Sequence, residues 1–330
     1  MGTTWLSQQG WGRPGAALPT EYEKIVLVTR KTRLEVLVER FNTLGQAKFY
    51  IEHSGSDYSD YEAEHETYTA ALRRVKSDLA GLAKLHLVER SFLPNYLFAR
   101  QDLVVAVGQD GLVVNAAKYV GEQPVLGVNP DPARFDGVLL PCQPAQAAAA
   151  VRQVLKGSAR TRRVTMAQAT MSDGQTLLAF NDLFVGAQSH ISARYVIDHG
   201  GVKEVHSSSG IIISTGAGSS GWLSSLYNMA QGMAPLVGAE SSTGKPNPRF
   251  PWDAERLVFV VREPFLSRSS QAGLVSGEVT IQKPLRLESR MPEAGVIFSD
   301  GVEADYLSFN AGSIATLHIA GHKANLVVPY

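Results

Sequence analysis

The chain has 330 residues, enough for two domains that each bury a core. Its 31 basic residues balance 31 acidic ones, which leaves no electrostatic footprint for nucleic acid or an anionic membrane surface. No apolar run reaches the roughly 18–20 residues that cross a bilayer, and Cys142 is the sole cysteine, so no intrachain disulfide can form. A reducing compartment, and with it a cytoplasmic location, is the expectation.

Residues 1–21 are rich in Gly, Pro, Gln and Ser and lack the apolar h-region of a signal peptide, so they read as a disordered lead-in. "EKIVLVTR" (Glu23–Arg30) reads as a buried strand, and apolar residues at Leu34, Val36, Leu37, Phe41 and Leu44 predict one amphipathic helix over Thr32–Leu44. The polar stretch "HSGSDYSDYEAEHE" separates it from a second helical pattern over Thr67–Leu85. Short strands follow near Leu85–Val88 and Leu103–Val107, then a helix starting just after Gly111 and the strand "PVLGV". Strands alternating with helices predict parallel βαβ units in an open α/β sheet. That domain is expected to cover residues 22–142.

After "LLPCQPAQAAAA" one helix over Pro144–Lys156 gives way to many short strand-like runs punctuated by turns such as Asp300-Gly301. This predicts a β-rich domain over residues 143–310, with one conspicuous helix beginning near Ser219. The Gly/Ser/Pro-rich stretch Gly238–Asp253 reads as a surface loop.

Three constellations could carry chemistry. In the first, Gly108-Gln109-Asp110-Gly111 closes the strand Leu103–Val107, where ligands of open α/β sheets bind. Glycines allow close backbone approach, and a carboxylate there could take a proton from a hydroxyl. A plain Asp-Gly turn, with Asp capping the next helix, is the competing explanation. In the second, a strand runs through Thr215-Gly216-Ala217-Gly218-Ser219-Ser220-Gly221 into a helix, whose N-terminal amides favour anions. No Lys follows the last glycine, so this is not a Walker A loop; a tight helix–sheet contact would need the same small residues. In the third, Asn181-Asp182 offers donors and acceptors for ribose hydroxyls or an adenine edge, unless it only makes an Asx turn. The eight histidines show no metal-ligand spacing, and no set of side chains is assigned to a protein-held metal.

In this order the three constellations resemble the NAD kinase family, most closely its mitochondrial-type branch. "VGQDG" followed by "PVLGVNPDP" is similar to the family's Gly-Gly-Asp-Gly-Thr motif and the branch's continuation, "NDLFVG" to its Asn-Glu/Asp motif, and "SSGIIISTGAGSSGW" to its Gly-rich segment. "VREPF" and "SDGVEADYLSFNAGSIATLHI" resemble the branch's later strands, so the likeness runs from about Lys24 to Val328. It implies a two-domain NAD kinase-like fold in which strands within residues 311–330 return to the first domain. It also implies transfer of the ATP γ-phosphate to the 2′-hydroxyl of the adenosine ribose of NAD, with Mg²⁺.

By the same likeness Asp110 is the catalytic carboxylate. Gly111, Asn181, Asp182, Ser220, Gly221, Trp222 and Ser225 contact NAD, and Gly108, Gln109, Gly218 and Ser219 shape the phosphate loops. A homodimer is implied as well. Two positions depart from the family: Gln109 replaces its second Gly and Leu112 its Thr. They leave open an alternative, a catalytically degenerate NAD(P)-binding sensor or partner subunit; a lipid or sugar kinase of the same superfamily is another.

Overall fold

The computed structural model describes residues 22–238 and 248–328. The expected lead-in, residues 1–21, and residues 239–247 of the expected loop lie outside them. The chain divides into two compact units.

The first unit runs to Arg162 and regains the chain at Asn325. Its elements are β1 (Lys24–Thr29), α1 (Arg33–Phe41), α2 (Leu44–His53), α3 (Tyr58–Leu79), β2 (Lys84–Glu89), β3 (Asp102–Val107), α4 (Asp110–Tyr119), β4 (Pro124–Val128) and α5 (Ala147–Leu155). The strands pair in parallel in the order β2-β1-β3-β4. Alternate residues Ile25, Leu27, Leu103, Val105, Val107, Leu126 and Val128 form one core with Val75 and Leu79 of α3 and Ala150, Val151 and Val154 of α5. Their neighbours Val26, Val28, Val104 and Ala106 are equally buried, and α4 packs against β1, β3 and β4. A parallel sheet covered on both faces needs such unbroken apolar strands.

The expected single helix over Thr32–Leu44 is two helices. Asn42 takes the left-handed conformation at φ 65°, and the Thr43 side chain caps a fresh start by accepting from Gln46 N. The second helix starts nine residues before the expected Thr67, at Tyr58, and ends at Leu79 instead of Leu85. Asp57 caps it, and Glu64, Tyr68, Ala71, Val75 and Leu79 are its buried residues. The helix after Gly111 begins at Asp110 itself.

The second unit, Arg163–Ala324, is built from antiparallel strands. They are β5 (Arg160–Met171), β6 (Thr176–Ala179), β7 (Asp182–Ala187), β8 (Ala193–His199), β9 (Val202–Ser208), β10 (Ile211–Ser214), β11 (Leu257–Val261), β12 (Ser276–Val279), β13 (Leu285–Ser289), β14 (Gly295–Ser299), β15 (Val302–Ser308) and β16 (Ile314–Val328). One sheet has the order β12-β11-β10-β7-β14-β15; facing it, β16, β13, β8 and β9 pair in sequence, with β5 beside β16 and β6 beside β5. Inward residues of both sheets, among them Val185, Ile213 and Phe259 on one and Tyr195, Leu287 and Leu317 on the other, make the core. The helix α6 (Trp222–Met233) covers the outer face of the six-stranded sheet, where Trp222 and Leu226 pack on Phe184, Ile212, Val296 and Phe298.

The boundary expected at residues 142/143 falls instead at Arg162/Arg163. The reason is α5, which buries Ala147, Ala150, Val151 and Val154 in the α/β core. Of residues 311–330, those up to Ala324 belong to the β-rich unit. Only the end of β16 returns, pairing Asn325 and Leu326 in parallel with Pro124 and Val125.

Candidate functional site

In the α/β unit, β3 delivers the Gly108-Gln109-Asp110-Gly111 loop to the carboxyl end of the sheet. Gly108 N donates to Val128 O at 3.1 Å, tying the loop to β4. A methyl on Gly108 would lie 2.8 Å from Leu112 Cδ2, so the glycine is where Leu112 packs down, and Leu112 itself is buried. Gln109 stands at the N-cap of α4 without a capping side-chain bond, which leaves amides of the first turn available to an anion.

Asp110 is held from the other side. Its Oδ1 accepts from Leu139 N at 2.7 Å. Leu139 is brought there because the loop after β4 lies directly on Gly127, where a Cβ would stand 2.1 Å from Leu139 O. Asn129 folds that loop by donating to Phe135 O and accepting from Asp131 N. One oxygen of Asp110 is thereby fixed to the backbone.

Beside this loop Arg30, Lys31, Arg33, Tyr61, Arg90 and Gln109 line a hollow of about 590 Å³ at the ends of β1 and β2. Gln109 is exposed on its wall. The Arg30 and Arg33 side chains are anchored on Glu64, and Arg33 and Arg134 on Asp60. Hydrogen bonds from Arg134 and Arg33 hold the Asp60 carboxyl down at about 2.

In the β-rich unit the other two constellations meet. Ser214, the last residue of β10, pairs with Asp182, the first of β7. Thr215 N donates to Asn181 O at 2.9 Å, and the Thr215 hydroxyl donates to Phe180 O at 2.6 Å. Gly218 N donates in turn to Thr215 Oγ1 at 3.1 Å. A Cβ on Gly218 would stand 2.1 Å from Asn181 O, so only glycine lets the small-residue loop seat on the Asn-Asp turn. Ser219 is buried and donates to Gly216 O at 2.7 Å. It supports the loop from inside, whereas Ser220, Gly221 and Ser225 are exposed.

The expected start of α6 near Ser219 moves to Trp222 because residues Gly218–Ser220 make a separate tight turn. Trp222 stacks on Phe184 (ring centroids 5.8 Å apart, 12° between planes), with the Arg262 guanidinium 5.6 Å from its centre.

A third strand end completes this group. Asp300 follows β14 and occupies the left-handed region at φ 54°. Its carboxylate accepts from Phe180 N at 3.0 Å, Asn181 N at 2.7 Å and Asp182 N at 3.3 Å. Asp182 is almost fully buried, and burial, reinforced by the Asp300 charge, pushes its carboxyl up to about 7. Near neutral pH such a group can donate a hydrogen bond as well as accept one.

Thus Asn181, Asp182, Thr215, Gly218 and Ser219 come together within one unit, and Gly108, Gln109, Asp110 and Gly111 within the other. Sequence reasoning named Thr215 only as part of the Gly-rich stretch, without its bonds to Phe180 O and Gly218 N, and missed Leu139 and Asp300. Asp300-Gly301 was legible only as a turn, and the Leu139 contribution is a backbone N–H with no side-chain signature. Among the described residues no three His, Cys, Asp or Glu side chains gather as a metal-holding group, and no helix is long and apolar enough to cross a membrane.

No family model matches the chain. It is similar to human mitochondrial NAD kinase 2, with 24% identity over 90% of this chain and 81% of that protein. The rat mitochondrial NAD kinase 2 matches at 24% identity over 90% and 85%. Among solved structures, an Archaeoglobus fulgidus NAD kinase in complex with ATP superposes with TM-score 0.55 at 16% identity, covering 92% of each chain. The yeast NADH kinase complexed with NADH superposes with TM-score 0.56 at 15% identity, covering 94% of this chain and 84% of that one. These likenesses show the two-domain NAD kinase fold.

The expectation of a cytoplasmic location is corrected by the same relatives, which are mitochondrial proteins; a single cysteine and an ordinary composition do not separate one reducing compartment from another. Motifs in the family's order, the family's fold, and relatives matched over most of their length point one way: the chain is similar to the NAD kinase family, and the relatives it matches are of the mitochondrial type.

Proposed function

We propose that the protein is an ATP-dependent NAD kinase, forming NADP from NAD. The new bond joins the ribose 2′-oxygen to the γ-phosphorus, the bond from that phosphorus to the β,γ-bridging oxygen breaks, and ADP leaves. Asp110 takes the 2′-hydroxyl proton. Gly108, Gln109 and Gly111 present the start of α4 to phosphate. Asn181 and Asp182 receive the adenosine ribose, with Gly218 and Ser219 shaping the loop beside them and Ser220, Gly221, Trp222 and Ser225 bordering the dinucleotide. Such transfer rests on alignment and charge neutralisation more than on covalent work by the protein.

The observation that carries this reading is the joint seating of the Asn-Asp turn and the Gly-rich loop, fixed by Thr215 and Gly218. An isolated Asx turn does not require it. Mg²⁺ enters with ATP as part of the donor substrate. Magnesium commonly keeps several waters and relies largely on phosphate oxygens, so the donor nucleotide brings most of its ligands. The degenerate-sensor and lipid- or sugar-kinase readings are not favoured. Gln109 lies on a wall of the hollow beside its loop, and Leu112 packs where the family's hydroxyl would stand.

Purified protein given NAD and MgATP is expected to form NADP, detected by an NADP-specific dehydrogenase. Substituting NADH and other phosphate donors defines its range. No NADP from any donor would refute the reading. The homodimer belongs to the same proposal, and sedimentation velocity on the full chain should give twice the monomer mass.

A further inference from the structure

Asp300 lies far in sequence from the motifs that bear the site, yet one carboxylate gathers three consecutive backbone amides, those of Phe180, Asn181 and Asp182. The contact is reciprocal, since Asp300 N donates to Asp182 O at 3.0 Å. Charge-assisted bonds of this kind are among the stronger ones a backbone can make. Asp300 holds them from the left-handed region, at φ 54°, which Asp and Asn enter more readily than other non-glycine residues. It also brings negative charge next to the buried Asp182 carboxyl. A carboxylate placed beside a second acid needs a return, and the segment it fixes is the Asn181-Asp182 turn.

We propose that Asp300 is a positioning residue for the dinucleotide: it sets the Asn181-Asp182 turn so that these side chains meet the adenosine ribose. This rests on the NAD kinase reading above. Its role is to accept hydrogen bonds, with no proton transfer of its own. Asn at this position keeps an acceptor oxygen for Asn181 N and Asp182 N and tolerates the left-handed region but turns an amide donor toward Phe180 N, whereas Gly fits the conformation and loses both acceptors.

The test compares D300N and D300G with the wild type for KM of NAD, KM of ATP, kcat and melting temperature. D300G is expected to raise the KM for NAD about tenfold or more, with kcat and the KM for ATP within about threefold, as for an interaction used equally in ground and transition states. D300N, which keeps the acceptor for Asn181 N and Asp182 N and loses the one for Phe180 N, is expected to raise the KM for NAD less than D300G does, with kcat and the KM for ATP again within about threefold. Wild-type NAD kinetics in D300G would overturn the proposal. So would a D300N loss as large as that of D300G, since the charge and not the acceptor would then be needed. Should D300G fail to fold, D300N still decides: a KM for NAD raised while kcat and the KM for ATP stay near wild type supports the proposal, and unchanged NAD kinetics, or a loss shared equally with kcat and the KM for ATP, overturns it. A wild type that forms no NADP defeats the kinase reading instead, which separates the two failures.

Discussion

At the residue scale the most informative group is Asp182. Burial and the Asp300 carboxylate raise its carboxyl to about 7 in the folded protein, against about 3.9 for an unfolded aspartate. Between those values the unfolded chain has released the proton and the native one still holds it. Stability therefore falls as pH rises from about 4 to about 7, and flattens above. Asp182→Asn removes this titration. The melting temperature of the variant minus that of the wild type is expected to be more positive at pH 8 than at pH 5; a difference that does not change with pH would refute the buried acid.

Leu112 gives a second prediction at this scale. It is buried and packs on Gly108, so restoring the family's hydroxyl by Leu112→Thr deletes apolar contact and buries a polar group. A loss of about 2 kcal/mol in chemical denaturation is expected. Gln109 is exposed, and Gln109→Gly should cost no more than a few tenths of a kcal/mol at an N-cap.

At the element scale, β4 and the loop that follows it form one device. Gly127 sits in the strand because the Leu139 carbonyl lies on it, and Leu139 N in turn holds Asp110. Gly127→Ala should unseat that loop, lowering kcat together with the melting temperature, while NAD affinity measured by calorimetry stays near wild type. Full kcat in this variant would show that the loop does not orient Asp110.

How far elements were legible follows the same logic. The strands β1, β3 and β4 were visible because a sheet covered on both faces demands unbroken apolar runs. The start of α3 was hidden in "SDYSDYEAEHE". There the inward-facing residue is Glu64, satisfied by Arg30 and Arg33, so apolar periodicity carries no trace of that turn. The break between α1 and α2 rests on the left-handed Asn42 and the Thr43 cap, a pattern that a continuous apolar spacing overrode.

At the scale of the whole molecule, the resemblance drew the site's parts from motifs far apart in the chain, and the fold accounts for part of that set. Three strand ends, those of β10 and β14 and the beginning of β7, bring residues from positions 180–182, 215–219 and 300 together. Asp110 belongs to the other unit, with its own supports. Asn181 and Asp182 could be named as candidates because their side-chain chemistry is written in the sequence. The supports could not, since they are backbone amides, a carbonyl under a glycine and a turn aspartate.

The central claim is that Asp110 serves NADP formation as a base and not as a structural cap. The most direct test is NADP formation by wild type and Asp110→Asn at saturating NAD and MgATP, with NAD binding followed by calorimetry. Turnover by the wild type and a loss of about 10²–10⁴-fold in the variant, with NAD affinity retained, is the predicted result. A variant as fast as wild type would contradict the account, as would a wild type that binds NAD and never phosphorylates it.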